Sequence, residues 1–172
     1  MNINLKNLKP NDLLVMPNFG VGQCRGWQAI EIDGCQHEML SIYFYTQKFI
    51  MRLPKAKLAA FSVRALASLD EVAEAFAILK IKKIVKSHNW RKFVAEYNLK
   101  MNSGELKKLA VVIRDTLPNT QKSKGADQCK TDIHNAATEL FANELMFIQN
   151  ITHTQALEKI QKAVNLSSST QK

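Results

Sequence analysis

The chain of 172 residues holds only three cysteines, Cys24, Cys35 and Cys129, with no C-x-x-C pair among them. An odd, scattered set argues against a disulfide framework or a cysteine-built zinc site. It fits reduced thiols in a cytoplasmic protein. The four histidines, His37, His88, His134 and His153, form neither an H-x-x-x-H nor an H-E-x-x-H pattern, so no metal is expected. His134 lies in an amphipathic stretch and reads as structural. There is no Walker loop, no G-x-G-x-x-G and no G-x-S-x-G. "NFGVGQ" contains G-x-G, but it sits among strands and reads as the turn of a bent hairpin. Acidic residues are outnumbered 15 to 24 by Lys and Arg, and none form a recognisable acid/base pair. The expectation is a protein that is not an enzyme and carries no cofactor. Apolar runs such as "LAAFSV" fall well short of the roughly 20 residues a membrane helix needs. The opening "MNINLKNLKPND" has no apolar core of the kind a secretion signal carries.

Cations are abundant, and their placement is uneven. From Lys80 to Lys108 nine basic residues face only Glu96 and Glu105, a net of +7 out of the chain's +9. A concentrated basic segment is the footprint of a phosphate-backbone binder. A solvated helix face, or less strongly a membrane-surface contact, would give the same composition.

Two halves differ in pattern. In the first 60 residues, "DLLVMP", "QCRGWQAIEI", "HEMLSIYFY" and "KFIMRLP" are short β-rich runs. Asp33-Gly34 is a strong hairpin signal, and Thr46-Gln47 marks a further turn. Three to five antiparallel strands in so short a stretch predict a small, strongly bent Tudor/SH3-like barrel. The rest reads as about five helices. "SLDEVAEAFAILK" opens with a Ser68–Glu71 capping box and carries Val72, Phe76, Leu79 and Ile81 at roughly helical spacing. A second helix begins near Trp90 with Asn89 as its N-cap, and a third follows Ser103-Gly104 and ends at Pro118. "NTQKSKGADQCK" reads as a loop. "DIHNAATELFANELMFIQN" is a long amphipathic helix, and Thr152–Gln155 is a second capping box. The fold class is therefore α+β, with an antiparallel barrel domain over residues 1–60 and an all-α domain over residues 68–166.

The stretch "KSHNWRKFVAEYNL" sets a large apolar ring among cations. Trp90, Phe93, Val94, Tyr97 and Met101 share one helical stripe, so Trp90 could begin the core-facing side of its helix. In the first turn, however, a side chain leans back past the helix end. With Lys86, Arg91 and Lys92 around it, the ring could equally act as a wedge against a base step while the cations hold phosphates. The residues alone leave both accounts open.

Three segments together resemble the CarD/CdnL family of bacterial transcription regulators. "KPNDLLVMPNFGVGQCRGWQAIEIDG" is similar to the family's G-D-x-V-V-Y-P-x-H-G-V-G-x-I opening. "RLPKAKLAAFSVRALAS" is similar to its barrel-closing V-P … G-V-R segment. "NWRKFVAEYNLKMNSGELKKLAVVIRDTL" resembles its W-x-x-R … S-G-D … A-E-V-V-R-D-L block without a gap. The resemblance covers roughly residues 8 to 117. It implies an N-terminal Tudor-like domain, shared with transcription-repair coupling factors, that docks on the RNA polymerase β subunit. The helical domain would touch double-stranded promoter DNA at the upstream bubble edge, largely without sequence readout. Trp90 matches the family's minor-groove wedge, and Arg52 matches a polymerase-facing cation. Trp90 and Lys92 match the family's DNA-side positions, and the neighbouring cations Lys86, Arg91 and Lys100 complete the candidate DNA-binding set. "FIMRLP" is the candidate edge strand for pairing with a partner, which gives Arg52, Met51 and Ile50 as the candidate polymerase-binding set. The expected protein is a nucleoid-associated monomer that stabilises the open complex. The alternative is a protein interaction module on polymerase without direct DNA contact. The chain departs from the family pattern at Ile30, Phe93 and Ala95, where cations are usual.

Overall fold

A computed structural model describes residues 8–81, 90–117 and 126–169. The chain divides into two compact units, Met1–Leu66 and Ala67–Lys172. The first is a four-stranded antiparallel sheet curled into a half-barrel, and five helices follow in the second, an α+β fold.

The sheet is a meander of β1 (Leu13–Met16), β2 (Gly20–Ile32), β3 (Cys35–Phe44) and β4 (Phe49–Pro54), with spatial order equal to chain order. The β2–β3 hairpin turns at Asp33 and Gly34, whose φ values of 52° and 74° both lie in the left-handed region. That pair of positive φ angles suits the right-handed twist of the flanking strands and explains the Asp-Gly dipeptide. The β3–β4 turn closes where the Lys48 amide donates to the Phe44 carbonyl at 2.9 Å. A 3₁₀ helix over Lys55–Phe61 follows β4.

Leu40, Ile42 and Phe44 of β3, all wholly buried, set the core face, although Met39 and Ser41 between and beside them are also buried. Leu14, Met16, Cys24, Leu53 and Leu58 join this core. Gly22 pairs with Phe44 in the sheet. A Cβ there would lie 2.6 Å from Ile42 Cγ2 and 3.0 Å from Phe44 Cε1. Both neighbours are locked in the core, so they cannot simply swing away. Gly22→Ala should therefore destabilise the barrel by about 1–3 kcal/mol, read as a lower urea midpoint.

The helices are α1 (Leu69–Leu79), α2 (Trp90–Asn102), α3 (Leu106–Asp115), α4 (Ala126–Gln149) and α5 (His153–Ser169). Ser68 and Glu71 form the reciprocal capping box at the start of α1, with hydrogen bonds of 2.8 and 3.2 Å. Thr152 and Gln155 do the same for α5 at 3.0 and 3.3 Å. Three readings change. Ile81 falls beyond the end of α1 and is 53% exposed, because the helix stops before the spacing can bring it inward. Residues 126–130, read as loop, belong to α4, whose packing carries the helix past its polar first turn. The proposed cap Asn89 and the stop at Pro118 lie outside the described residues.

The helical core gathers Val72, Leu79, Phe93, Tyr97, Leu109, Ile113, Phe141, Leu145 and Ile160. Within it, the wholly buried Glu144 is held by the Ala67 amide, which donates to Oε1 at 2.8 Å. His134 sits partly buried, with Nδ1 3.2 Å from both the Ile113 carbonyl and Thr116 Oγ1. This matches the structural reading of that histidine. Burial pushes its imidazole below the ordinary histidine value, against the opposing pull of the Ile113 carbonyl. The folded state thus resists a proton that the unfolded chain accepts. Stability from this site is present above about pH 6.5 and is lost as pH falls through the lowered folded value. His134→Gln should flatten the decline in urea midpoint between pH 7.5 and 5.5 relative to the parent chain.

Candidate functional site

The two edges of the half-barrel are not alike. On β1, Val15 exchanges main-chain hydrogen bonds of 2.8 and 3.0 Å with Arg64, so that edge is closed where they meet. On β4, pairing is with β3 alone among the described residues. An open edge offers a row of N–H and C=O groups to an extended chain.

Side chains on β4 follow the strand period. Ile50 and Arg52 pair with Tyr43 and Ser41 of β3 and face away from the core; Ile50 is 55% exposed. Met51 pairs with the buried Ile42 and packs against the core. Of the three residues read from "FIMRLP", Ile50 and Arg52 are exposed on the outer face, and Met51 is half-buried against the core. Ile30, a departure from the family pattern, pairs with His37 in the outer part of the β2–β3 hairpin.

On the helical unit, Trp90 is the first residue of α2 and Arg91 the second. Their side chains lie outside the described residues, as does the whole of Lys86. Phe93, Tyr97 and Met101 are buried, so the inward stripe of α2 forms as its spacing suggests. Phe93 packs on Tyr97 with ring centroids 4.3 Å apart. A cation at position 93 would be expelled from this core, which accounts for one departure from the family pattern. Ala95 is exposed, so nothing in the packing excludes a cation there.

Several lysines of the basic segment are engaged locally. Lys92 is exposed. Lys100 pairs with Glu96 and lies 4.8 Å over the Tyr97 ring. Lys107 pairs with Glu74, and Lys108 with Glu105 at 2.7 Å. Both carboxylates of the basic segment, Glu96 and Glu105, are thus committed to local pairs. Exposed pairs of this kind are weak and give way to a stronger anion at little cost.

Beneath α2 lies a feature the sequence reading missed. The Tyr97 hydroxyl donates to Asp115 Oδ2 at 3.0 Å, and Arg114 Nε donates to Oδ1 at 2.6 Å. The side chains of Arg114 and Asp115 are only 9% and 4% exposed. Burial, then the adjacent Asp115 charge, pushes the Tyr97 phenol far above its ordinary value, so it stays protonated and a donor. The network ties the middle of α2 to the end of α3. No metal-holding group of three or more acidic, His or Cys side chains occurs among the described residues. None of their helices is long and apolar enough to cross a membrane.

The helical unit matches the family model described as CarD, C-terminal domain, over residues 74–161, more than half of the chain. The chain belongs to the CarD family. A comparison with curated proteins finds no match. CarD proteins are transcription regulators, and this chain is accordingly a transcription-related regulator. The CarD match starts within α1, so the half-barrel lies before it.

Proposed function

We propose that this CarD-family chain binds the RNA polymerase β subunit and promoter DNA together, stabilising the open complex at the upstream bubble edge. Its half-barrel serves as the Tudor-like docking domain. The observation that carries the reading is the division of labour between the units. One has an open strand edge with Arg52 and Ile50 turned outward. The other carries the CarD match and the concentrated positive charge. β4 adds to a strand of the polymerase through main-chain bonds, and Arg52 meets an acidic group there. Trp90, Lys86, Arg91, Lys92 and Lys100 form the DNA side. The cations hold phosphates without reading bases, and the indole occupies a base step distorted by unwinding. Docking on polymerase raises the local concentration of the helical unit, so weak DNA affinity suffices. The site of action is the bacterial cytoplasm, with the protein as a monomer.

Arg52→Glu should weaken binding to polymerase at least tenfold in a pull-down or interferometry titration while leaving the fold unchanged. Equal binding would reject the docking role. A second reading is favoured by the local pairing of Lys100, Lys107 and Lys108: a module that touches protein alone. Salt separates the two, because a phosphate-backbone binder weakens steeply as salt rises.

A further inference from the structure

We infer that Glu74, Glu96 and Glu105 shield lysines of the basic segment, so that the helical unit binds free DNA weakly and engages it fully only when phosphates displace these carboxylates. This rests on the DNA side of the proposed function and adds a control built into the same surface.

Three lysines are held by nearby carboxylates. Lys100 of α2 pairs with Glu96, one turn earlier on the same helix. Lys108 of α3 pairs at 2.7 Å with Glu105, the N-cap residue of that helix. Lys107 pairs with Glu74 of α1, a helix packed on α3. Glu96 and Glu105 are the two acids between Lys80 and Lys108, and both serve in this way. Glu74 adds a further anion from outside the segment. The nominal charge of the segment therefore overstates the field it offers to a polyanion.

Exposure gives the pairs a direction. Glu96, Glu74 and Glu105 are 58%, 59% and 55% exposed, against 25%, 43% and 44% for Lys100, Lys107 and Lys108. In each pair the carboxylate is the partner nearer to solvent. An incoming phosphate is repelled by the carboxylate while it is drawn by the ammonium. Lys107 is the most enclosed by acids. The Glu74 hydrogen bond pushes its ammonium above the ordinary lysine value, and the charges of Glu74, Glu71 and Glu105 add to the effect.

The shield is reversible because exposed ion pairs hold loosely. A duplex lines up phosphates along its backbone and outcompetes single carboxylates once it is held close. Docking on polymerase supplies that closeness by raising the local concentration. Away from polymerase, the shield keeps the helical unit off bulk DNA, to which an unshielded basic segment would bind without regard to sequence.

The test uses the full chain and a labelled duplex, with binding read by fluorescence anisotropy across a salt series. Glu74→Gln, Glu96→Gln and Glu105→Gln remove charge while keeping shape. Each should tighten binding about threefold at low salt, and the triple variant about twentyfold. The gain should shrink as salt rises. Glu31→Gln removes an exposed carboxylate from β2 of the half-barrel and should bind like the parent. Circular dichroism checks that each variant folds. If the parent binds in a salt-sensitive way and the triple variant binds no more tightly, the shield is rejected and the DNA reading stands. If Glu31→Gln gains as much as each of the three, total charge is responsible and the shield is rejected. If neither the parent nor the triple variant binds DNA at low salt, the DNA side of the proposed function falls, and the shield with it.

Discussion

Asp115→Ala is expected to cost the helical unit about 3–5 kcal/mol. The carboxylate is 4% exposed and accepts from both Arg114 Nε and the Tyr97 hydroxyl. Removing it strands a buried guanidinium and a buried phenol at once, and each then bears its full desolvation penalty. The position is electrostatically awkward without its partners, because Asp115 ends α3, where the helix dipole disfavours an anion. Arg114 and Tyr97 reverse that preference locally. Asp115→Asn keeps an acceptor for Tyr97 and should lose less, about 1.5–3 kcal/mol. Urea denaturation followed at 222 nm, where the five helices dominate, would read both values. A loss below 1 kcal/mol for the alanine variant would mean that the buried network is not what secures α2 to α3.

Trp90→Ala carries the largest expected effect on function. On the proposed reading the indole fills a base step opened by unwinding, and stacking of that kind is worth about 1–3 kcal/mol per base. The open complex should therefore dissociate roughly tenfold faster in the presence of the variant than with the parent chain. Polymerase binding should be unchanged, since Arg52 and the β4 edge belong to the other unit. Unaltered lifetimes would assign Trp90 to the core side of its helix, the other account its spacing allows. Loss of polymerase binding would indicate that the variant had failed more broadly.

These two residues also mark what the sequence can and cannot reveal. Asp33-Gly34, Ser68–Glu71 and Thr152–Gln155 were legible because turn and cap chemistry is local and acts within four residues. The stripe of Phe93, Tyr97 and Met101 was legible because helical periodicity is local too. Tyr97 and Asp115 are separated by 18 positions, and no spacing rule announces a contact that the turn between α2 and α3 creates. Glu144 did leave a sign, a lone carboxylate inside the apolar run "LFANELMF", but its partner Ala67 lies 77 positions away. The β-bulge at Arg25, where Cys24 pairs with Ile42 and Gly26 with Ser41, was hidden for a different reason. Alternation in "GQCRGWQ" admits either parity, and only pairing with β3 shows which residue is extra. The inward orientation of Met51, beside the buried Ile42, follows from strand period alone.

The account's central claim is that one chain joins polymerase to the edge of the melted promoter. Footprinting a promoter with polymerase, with and without this protein, tests it most directly. Added protection at the upstream edge of the bubble, abolished by Arg52→Glu and weakened by Trp90→Ala, is the predicted result. A footprint identical with and without the protein, while the protein remains bound to polymerase, would contradict it.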